Sequence, residues 1–216
     1  MRQLHYYPST AAMAPHILLQ EIGEPFELVL VDRTADVHKT PGYLQLNPNG
    51  LIPVLTDGEL VLYETAAICL YLCDTCPQAG LAPVVGTVAR AHFYKWMAWL
   101  TNTLQTTLIV YFYPDRWVNA GNTAGALEVK AQAERKVGAL LDQLDAELAR
   151  HGGPWLLEDR YSALDPFAMM LCRWTRGFAR APAHSRPHLG PYLQRVLARP
   201  AVQRALAAEQ LAPPWV

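Results

Sequence analysis

Hydrophobic and polar positions keep two different rhythms along this chain, and the change falls near residue 77. Before it, short apolar runs alternate with turn-forming clusters. Leu4–Tyr7 reads as a strand and Pro8-Ser9-Thr10 as a turn, followed by a helix from Ala12 to Ile22 that stops at Gly23. Phe26–Val31 has the β-branched and apolar content of a strand, and His38–Leu46 predicts a short irregular helix ahead of the dense turn signal Asn47-Pro48-Asn49-Gly50. Leu51–Leu55 and Leu60–Tyr63 form a hairpin about Asp57-Gly58, and Glu64-Thr65 opens an amphipathic helix that ends near Cys76. The order βαβ(α)ββα gives a small mixed sheet with helices on both faces.

After a Pro- and Gly-bearing stretch at 78–86, the rhythm becomes helical. Val88–Val110 carries bulky residues at 93, 96, 97, 100, 104 and 108, a single helical stripe. Leu127–His151 repeats the pattern through Val137, Leu141, Leu144 and Leu148. Ser162-Ala163-Leu164-Asp165 predicts a capping box, with Ser162 accepting from the N–H three residues on and Asp165 reaching back. Pro166 suits the first turn of that helix, where its missing N–H costs nothing. The final helical stretch, Leu189–Ala208, breaks at Arg199-Pro200.

One position in the first part departs from simple patterning. Proline cannot donate to a ladder, yet Pro53 stands inside an apolar strand. A turn-like or cis bond explains it, and leaves the backbone of Ile52 free to pair with something outside the sheet. A helix N-terminus, which favours anions, follows at Glu64-Thr65. Together they suit a short anionic peptide.

Composition changes the picture mainly by exclusion. The 216 residues carry a net charge of −1, so nothing favours nucleic acid or an acidic membrane surface as partner. The four cysteines, at 69, 73, 76 and 172, do not form a disulfide framework and fit a reducing compartment. The N-terminal segment lacks the pattern of a signal peptide, and no apolar run reaches membrane-spanning length. The expectation is a soluble, cytoplasmic protein.

The segments LHYYPSTAAMAPHILLQEIGEPFEL, NPNGLIPVLTDGELVLYETAAICLYL, WLLEDRYSALDPF and RPAVQRAL occur in this order and spacing. On them the chain resembles the cytosolic-type glutathione S-transferases over essentially its full length. The resemblance implies an α/β plus all-α fold: an N-terminal thioredoxin-like, glutathione-binding domain at 1–77, a linker at 78–86, and an all-helical, electrophile-binding domain at 87–216. It also implies glutathione as co-substrate, a small hydrophobic electrophile or peroxide as second substrate, and a homodimer.

Within that resemblance each candidate has its own chemistry. Ile52, before Pro53, offers N–H and C=O to the cysteinyl unit of glutathione, a one-residue strand addition. Thr65 would hold the γ-glutamyl carboxylate and Glu64 its ammonium. His38 and Lys39 would reach the glycyl carboxylate; position 51, often cationic in relatives, is Leu51 here. A free thiol has a pKa of ~8.5, so a hydroxyl aimed at sulfur is needed to favour the thiolate near neutrality. Ser9 falls where theta- and nu-like relatives carry a Ser or Thr, and it is the expected activating residue. Tyr6, nearer the position of tyrosine-type classes, is expected to be packed, and Thr10 to support the turn. The APHILL run is similar to the bacterial beta class, but the catalytic cysteine of that class aligns with Ala11.

Other motifs carry less. Cys73-Asp74-Thr75-Cys76 matches CxxC but sits at a helix end, where the dipole opposes thiolate formation. His184 and His188 lack companion ligands and have Pro187 between them, so no metal is expected. Trp99, Asn102, Tyr111 and Tyr113 are the candidates for an electrophile pocket, since Tyr and Trp need partners for their polar tips. The rival reading is a glutathione-binding protein of this fold with a regulatory role and little turnover.

Overall fold

The computed structural model describes residues 1–216, which divide into two compact units. The first comprises Met1–Pro83 together with Leu197–Pro213. Its four-stranded sheet has the order β2-β1-β3-β4, built from β1 (Arg2–Tyr6), β2 (Phe26–Leu30), β3 (Val54–Asp57) and β4 (Leu60–Tyr63). β1 runs parallel to β2 and antiparallel to β3, and β3 is antiparallel to β4. This is the thioredoxin-like arrangement.

Alternation along β1 decides which helix covers which face. Tyr6 packs toward His16 of α1 (Met13–Ile22), with ring centroids 6.2 Å apart. His5 points the other way and meets Tyr43 of α2 (Pro41–Leu46) edge-on at 6.3 Å. α3 (Thr65–Thr75) packs beside α1. Leu4, Ile17, Leu18, Val54, Leu55, Ile68 and Leu72 are fully buried. A smaller core of Val31, Tyr43 and Val54 lies under α2.

Three boundaries differ from the sequence pattern. β1 begins at Arg2 because the parallel ladder with Phe26 starts there, and Arg2 is tied to Asp57 at 2.9 Å and Glu24 at 2.8 Å. β3 begins only at Val54, so Leu51 and Ile52 lie outside the ladder. The irregular helix at 38–46 resolves into a 3₁₀ turn, Val37–Lys39, followed by α2, whose Thr40 side chain accepts from the Tyr43 N–H.

The C-terminal end of the chain departs from the expected partition more substantially. Residues 197–213 belong with the first unit, where α9 (Pro200–Ala208) packs on α1 and buries Ala201, Val202, Ala205 and Leu206. Arg199 and Arg204 bind Glu21 and Gln20 at the end of α1. The expected linker shifts as well. Leu81 is buried and its carbonyl takes the Cys73 thiol, so the changeover falls between Pro83 and Val84.

The second unit, Val84–Val196 with Pro214–Val216, is helical: α4 (Val88–Trp99), α5 (Thr106–Phe112), α6 (Thr123–His151), α7 (Leu164–Arg173) and α8 (Leu189–Leu197, whose last residue falls in the first unit). The predicted helix 88–110 runs on to Phe112 but contains a π-helical stretch at Leu100–Gln105. Threonine hydroxyls there bond back to main-chain carbonyls, Thr101 to Met97 at 2.9 Å and Thr107 to Thr103 at 2.7 Å, and compete with the regular ladder. α6 starts earlier than its apolar stripe, because Asn122 caps the Gly125 N–H. Asp165 reaches back to the Ser162 N–H at 2.7 Å as the capping box predicts, whereas Ser162 accepts from Leu164, two residues on rather than three. No helix is long and apolar enough to cross a membrane.

Candidate functional site

The turn between β1 and α1 sorts the three candidate hydroxyls. Thr10 Oγ1 donates to the Tyr7 carbonyl at 2.6 Å and receives the Ala12 N–H at 3.4 Å, so its hydroxyl holds the turn together. Tyr6 is half-buried against His16; burial, followed by the nearby Glu209 carboxylate, raises its pKa. Ser9 is half-exposed, and its hydroxyl bonds to no other group of the chain. The Ser9 backbone has φ +62°, in the left-handed region that non-glycine residues rarely enter. Its N–H points to Glu209 Oε2 at 2.8 Å.

Ile52 lies just ahead of the β3 ladder, and the Ile52–Pro53 bond is cis. The residue before it is firmly held. The Leu51 carbonyl accepts from Tyr43 Oη at 2.8 Å and from Asn47 Nδ2 at 2.9 Å. Burial pushes the Tyr43 phenol up to about 12, which keeps it a donor. Asn47 also takes the Asn49 N–H on its Oδ1. The NPNG run is therefore more than a turn: it presents Ile52 at a fixed position.

Glu64 adopts φ +73° immediately ahead of α3, and its exposed side chain makes no cap bond. Thr65 is buried, and its hydroxyl donates to the Ala11 carbonyl at 3.4 Å. That contact joins the start of α3 to the Ser9-bearing turn. The first N–H groups of α3 have no partner within the helix.

His38 sits on the 3₁₀ turn with Nδ1 buried and without a partner, and its Nε2 lies 3.9 Å from Asp36. A Cβ at Gly50 would stand 3.0 Å from the His38 carbonyl, and Gly50 has φ +61°, so only glycine lets this turn sit beside Leu51. Lys39 is exposed and pairs with Asp36 at 2.9 Å; the hydrogen bond from Lys39 holds the Asp36 carboxyl below its usual range. Ser9, Ile52, Glu64, Thr65 and His38 thus all belong to the first unit, on segments that touch one another.

The four aromatic and amide candidates of the second unit do not form one set. Trp99 stacks edge-on with Trp96 at 5.3 Å and lines a hollow of about 130 Å³ with Lys95, Gln143 and Glu147. Tyr111 instead packs on Phe178 at 4.3 Å beneath the Lys130 ammonium. Lys130 and Gln143 lie thirteen residues apart on α6, about 20 Å along its axis at 1.5 Å per residue. Tyr113 carries Arg116 over its ring at 4.2 Å, and Asn102 is exposed.

None of the four cysteines forms a disulfide, and all four are buried. Cys76 receives Arg2 Nη1 at 3.2 Å, and burial pushes Cys172 up to about 12. No group of three His, Cys, Asp or Glu side chains is placed to hold a metal ion. Sequence reading missed Tyr43, Asn47, His16 and Glu209. An Asn-rich turn after a tyrosine is visible in the sequence, but nothing local marks Glu209, which meets its partners across about 200 residues.

Comparison with known proteins bears directly on this geometry. The family profile for the glutathione S-transferase N-terminal domain matches residues 8–75, and that for the C-terminal domain matches residues 101–200. The chain belongs to the glutathione S-transferase family. It is 32% identical over 209 residues to glutathione S-transferase GST-4.5 of Xanthomonas campestris, covering 97% of this chain and 99% of that one. A glutathione transferase homologue from Sulfitobacter, solved with bound glutathione, superposes with a TM-score of 0.88 at 27% identity, covering 98% and 99% of the two chains. The glutathione S-transferase of Xylella fastidiosa gives the same TM-score at 29% identity, covering 98% of this chain and all of that one.

Proposed function

We propose that this glutathione transferase activates the thiol of glutathione with the hydroxyl of Ser9. The observation that carries the assignment is the division of labour in the β1–α1 turn, where the Thr10 hydroxyl is committed to Tyr7, Tyr6 packs on His16, and the Ser9 hydroxyl is uncommitted. Ile52 pairs with the cysteinyl backbone. The N-terminal N–H groups of α3, with Glu64 beside them, take the γ-glutamyl end, and His38 and Lys39 the glycyl carboxylate. The bound thiol gives its proton to water, and Ser9 donates to the resulting thiolate. The thiolate then attacks an electrophilic carbon, the C–S bond forms, and the leaving group departs with its electron pair. With a peroxide, sulfur attacks oxygen instead, the O–O bond breaks, the alkoxide leaves and takes a proton, and a second glutathione turns the sulfenic acid into glutathione disulfide and water. The electrophile is small and apolar and is met by side chains of the helical unit, with Trp99 and Tyr111 belonging to separate surfaces. The protein works in the cytoplasm as a homodimer, in keeping with four cysteines that form no disulfide and with the family resemblance.

Ser9→Ala tests the assignment. Turnover with a chloro-nitroaromatic or peroxide should fall about tenfold or more, the worth of one hydrogen bond to a charged group. The Kd for glutathione should change little. Unchanged turnover would pass the role to Tyr6 or Thr10. Retention of glutathione with no turnover over a broad electrophile panel would favour a binding protein.

A further inference from the structure

The turn that bears Ser9 is held from behind by a buried carboxylate that no local sequence pattern announces. Glu209, at the end of α9, has its side chain completely buried. One oxygen accepts the Ser9 N–H at 2.8 Å, and the other meets Nδ1 of His16 at 2.9 Å. His16 is itself fully buried, on α1, with the Tyr6 ring at 6.2 Å and the Phe26 ring at 5.9 Å. The carboxylate therefore spans the backbone of the turn and the helix that follows it.

Placing a carboxylate out of water is costly unless each oxygen is well bonded, and here each has one short partner. The partners chosen are informative. A carboxylate that served only to attach α9 would be matched by the Arg199–Glu21 and Arg204–Gln20 contacts, which lie at the other end of α1. Glu209 instead bonds a main-chain N–H in a left-handed residue, a conformation that costs serine on the order of 1 kcal/mol or more and needs something to hold it. The backbone angle at position 9 sets where the Ser9 hydroxyl stands.

We propose that Glu209 is a positioning residue for glutathione activation, fixing the left-handed Ser9 backbone, with His16 in turn fixing the Glu209 carboxylate. This rests on the reading that the β1–α1 turn activates the thiol. It makes the C-terminal segment 200–209 a working part of the site rather than a cover for α1. The effect acts on how well sulfur is held as thiolate, not on how tightly the tripeptide binds.

The test is an ultraviolet titration of the thiolate of bound glutathione on the full-length protein, beside Kd for glutathione and kcat with a chloro-nitroaromatic. Glu209→Ala should raise the titration midpoint by about one pH unit and lower kcat about tenfold at neutral pH, with Kd within about threefold. Glu209→Gln, whose amide oxygen can still accept the Ser9 N–H, should recover most of both. A purely structural carboxylate would lower the melting temperature and leave the titration midpoint in place, and that result would overturn the proposal. Should Glu209→Ala not fold, Glu209→Asp carries the same test, since its shorter arm cannot reach both partners; an unmoved midpoint there also overturns it. Ser9→Ala separates this proposal from the one it rests on. A midpoint moved by Glu209→Ala but not by Ser9→Ala removes Ser9 as donor and keeps Glu209 as the residue that shapes the turn. A midpoint moved by Ser9→Ala alone keeps the donor and removes Glu209.

Discussion

Arg199 holds Glu21 through both carboxylate oxygens, Nε to Oε1 at 2.6 Å and Nη2 to Oε2 at 3.0 Å, across 178 residues of sequence. The fork is two-pronged and only partly exposed, 29% on the arginine side chain and 13% on the glutamate. It fastens α9 to α1 at the end opposite Glu209.

Arg199→Ala should therefore destabilise the protein by ~1–2 kcal/mol, more than an ordinary surface pair because the geometry is bidentate and half-sheltered. Arg199→Lys should recover less than half, since an ammonium cannot form the fork. Urea midpoints at constant slope measure both. A loss equal to that of an exposed pair such as Arg150–Glu147 would show that the fork adds nothing beyond an ordinary surface pair.

Tyr43→Phe removes one of the two donors on the Leu51 carbonyl and leaves Asn47 in place. The KM for glutathione should rise about three- to tenfold, the worth of one neutral hydrogen bond, while kcat stays near wild type. Asn47→Ala should do more, because buried Asn47 also holds the Asn49 N–H. Steady-state kinetics at varied glutathione decides the matter; a drop in kcat with unchanged KM would place this network in the chemistry instead of the binding.

Acid should act partly through Asp57. Burial works to raise its pKa, but hydrogen bonds from Arg2 and Tyr71 outweigh that and hold the carboxyl below its ordinary value. A carboxyl with a lowered folded pKa contributes stability above its unfolded value, near ~3.9, and loses that contribution as pH falls through the folded value. Asp57→Asn should consequently be less stable than wild type at neutral pH, with the gap closing below about pH 4. Melting temperatures over a pH series show this directly, and a gap independent of pH would remove Asp57 from the acid limb.

Legibility followed the range of the interactions. The sheet, the hairpin and α3 were readable because alternation, Asp57-Gly58 and Pro53 are local signals. The places of Ile52 ahead of β3 and of Glu64 and Thr65 at the start of α3 were readable for the same reason, each being set by the element next to it. The π-helical stretch was hidden because Leu100 and Leu104 keep helical spacing through it, and the threonine hydroxyls that bond to its carbonyls leave no mark on the apolar pattern. Trp99 and Tyr111 read as neighbours by sequence, yet the neighbours of each come from distant points of α6 and beyond. Glu209 was least legible, because an acid at a helix end is ordinary until the turn it meets is known.

The return of α9 to the first unit has a consequence during synthesis. α1 leaves the ribosome long before its partner exists, and Glu21 waits for 178 further residues before Arg199 is made. Until then the nascent sheet can pair its strands, but the face that α9 will cover stays open to solvent and to holding chaperones. The turn around Ser9 acquires its carboxylate only at that late stage. A ribosome-stalled chain ending before residue 197 should thus carry a formed sheet and no competent thiol site, so that the order of translation itself delays the onset of activity.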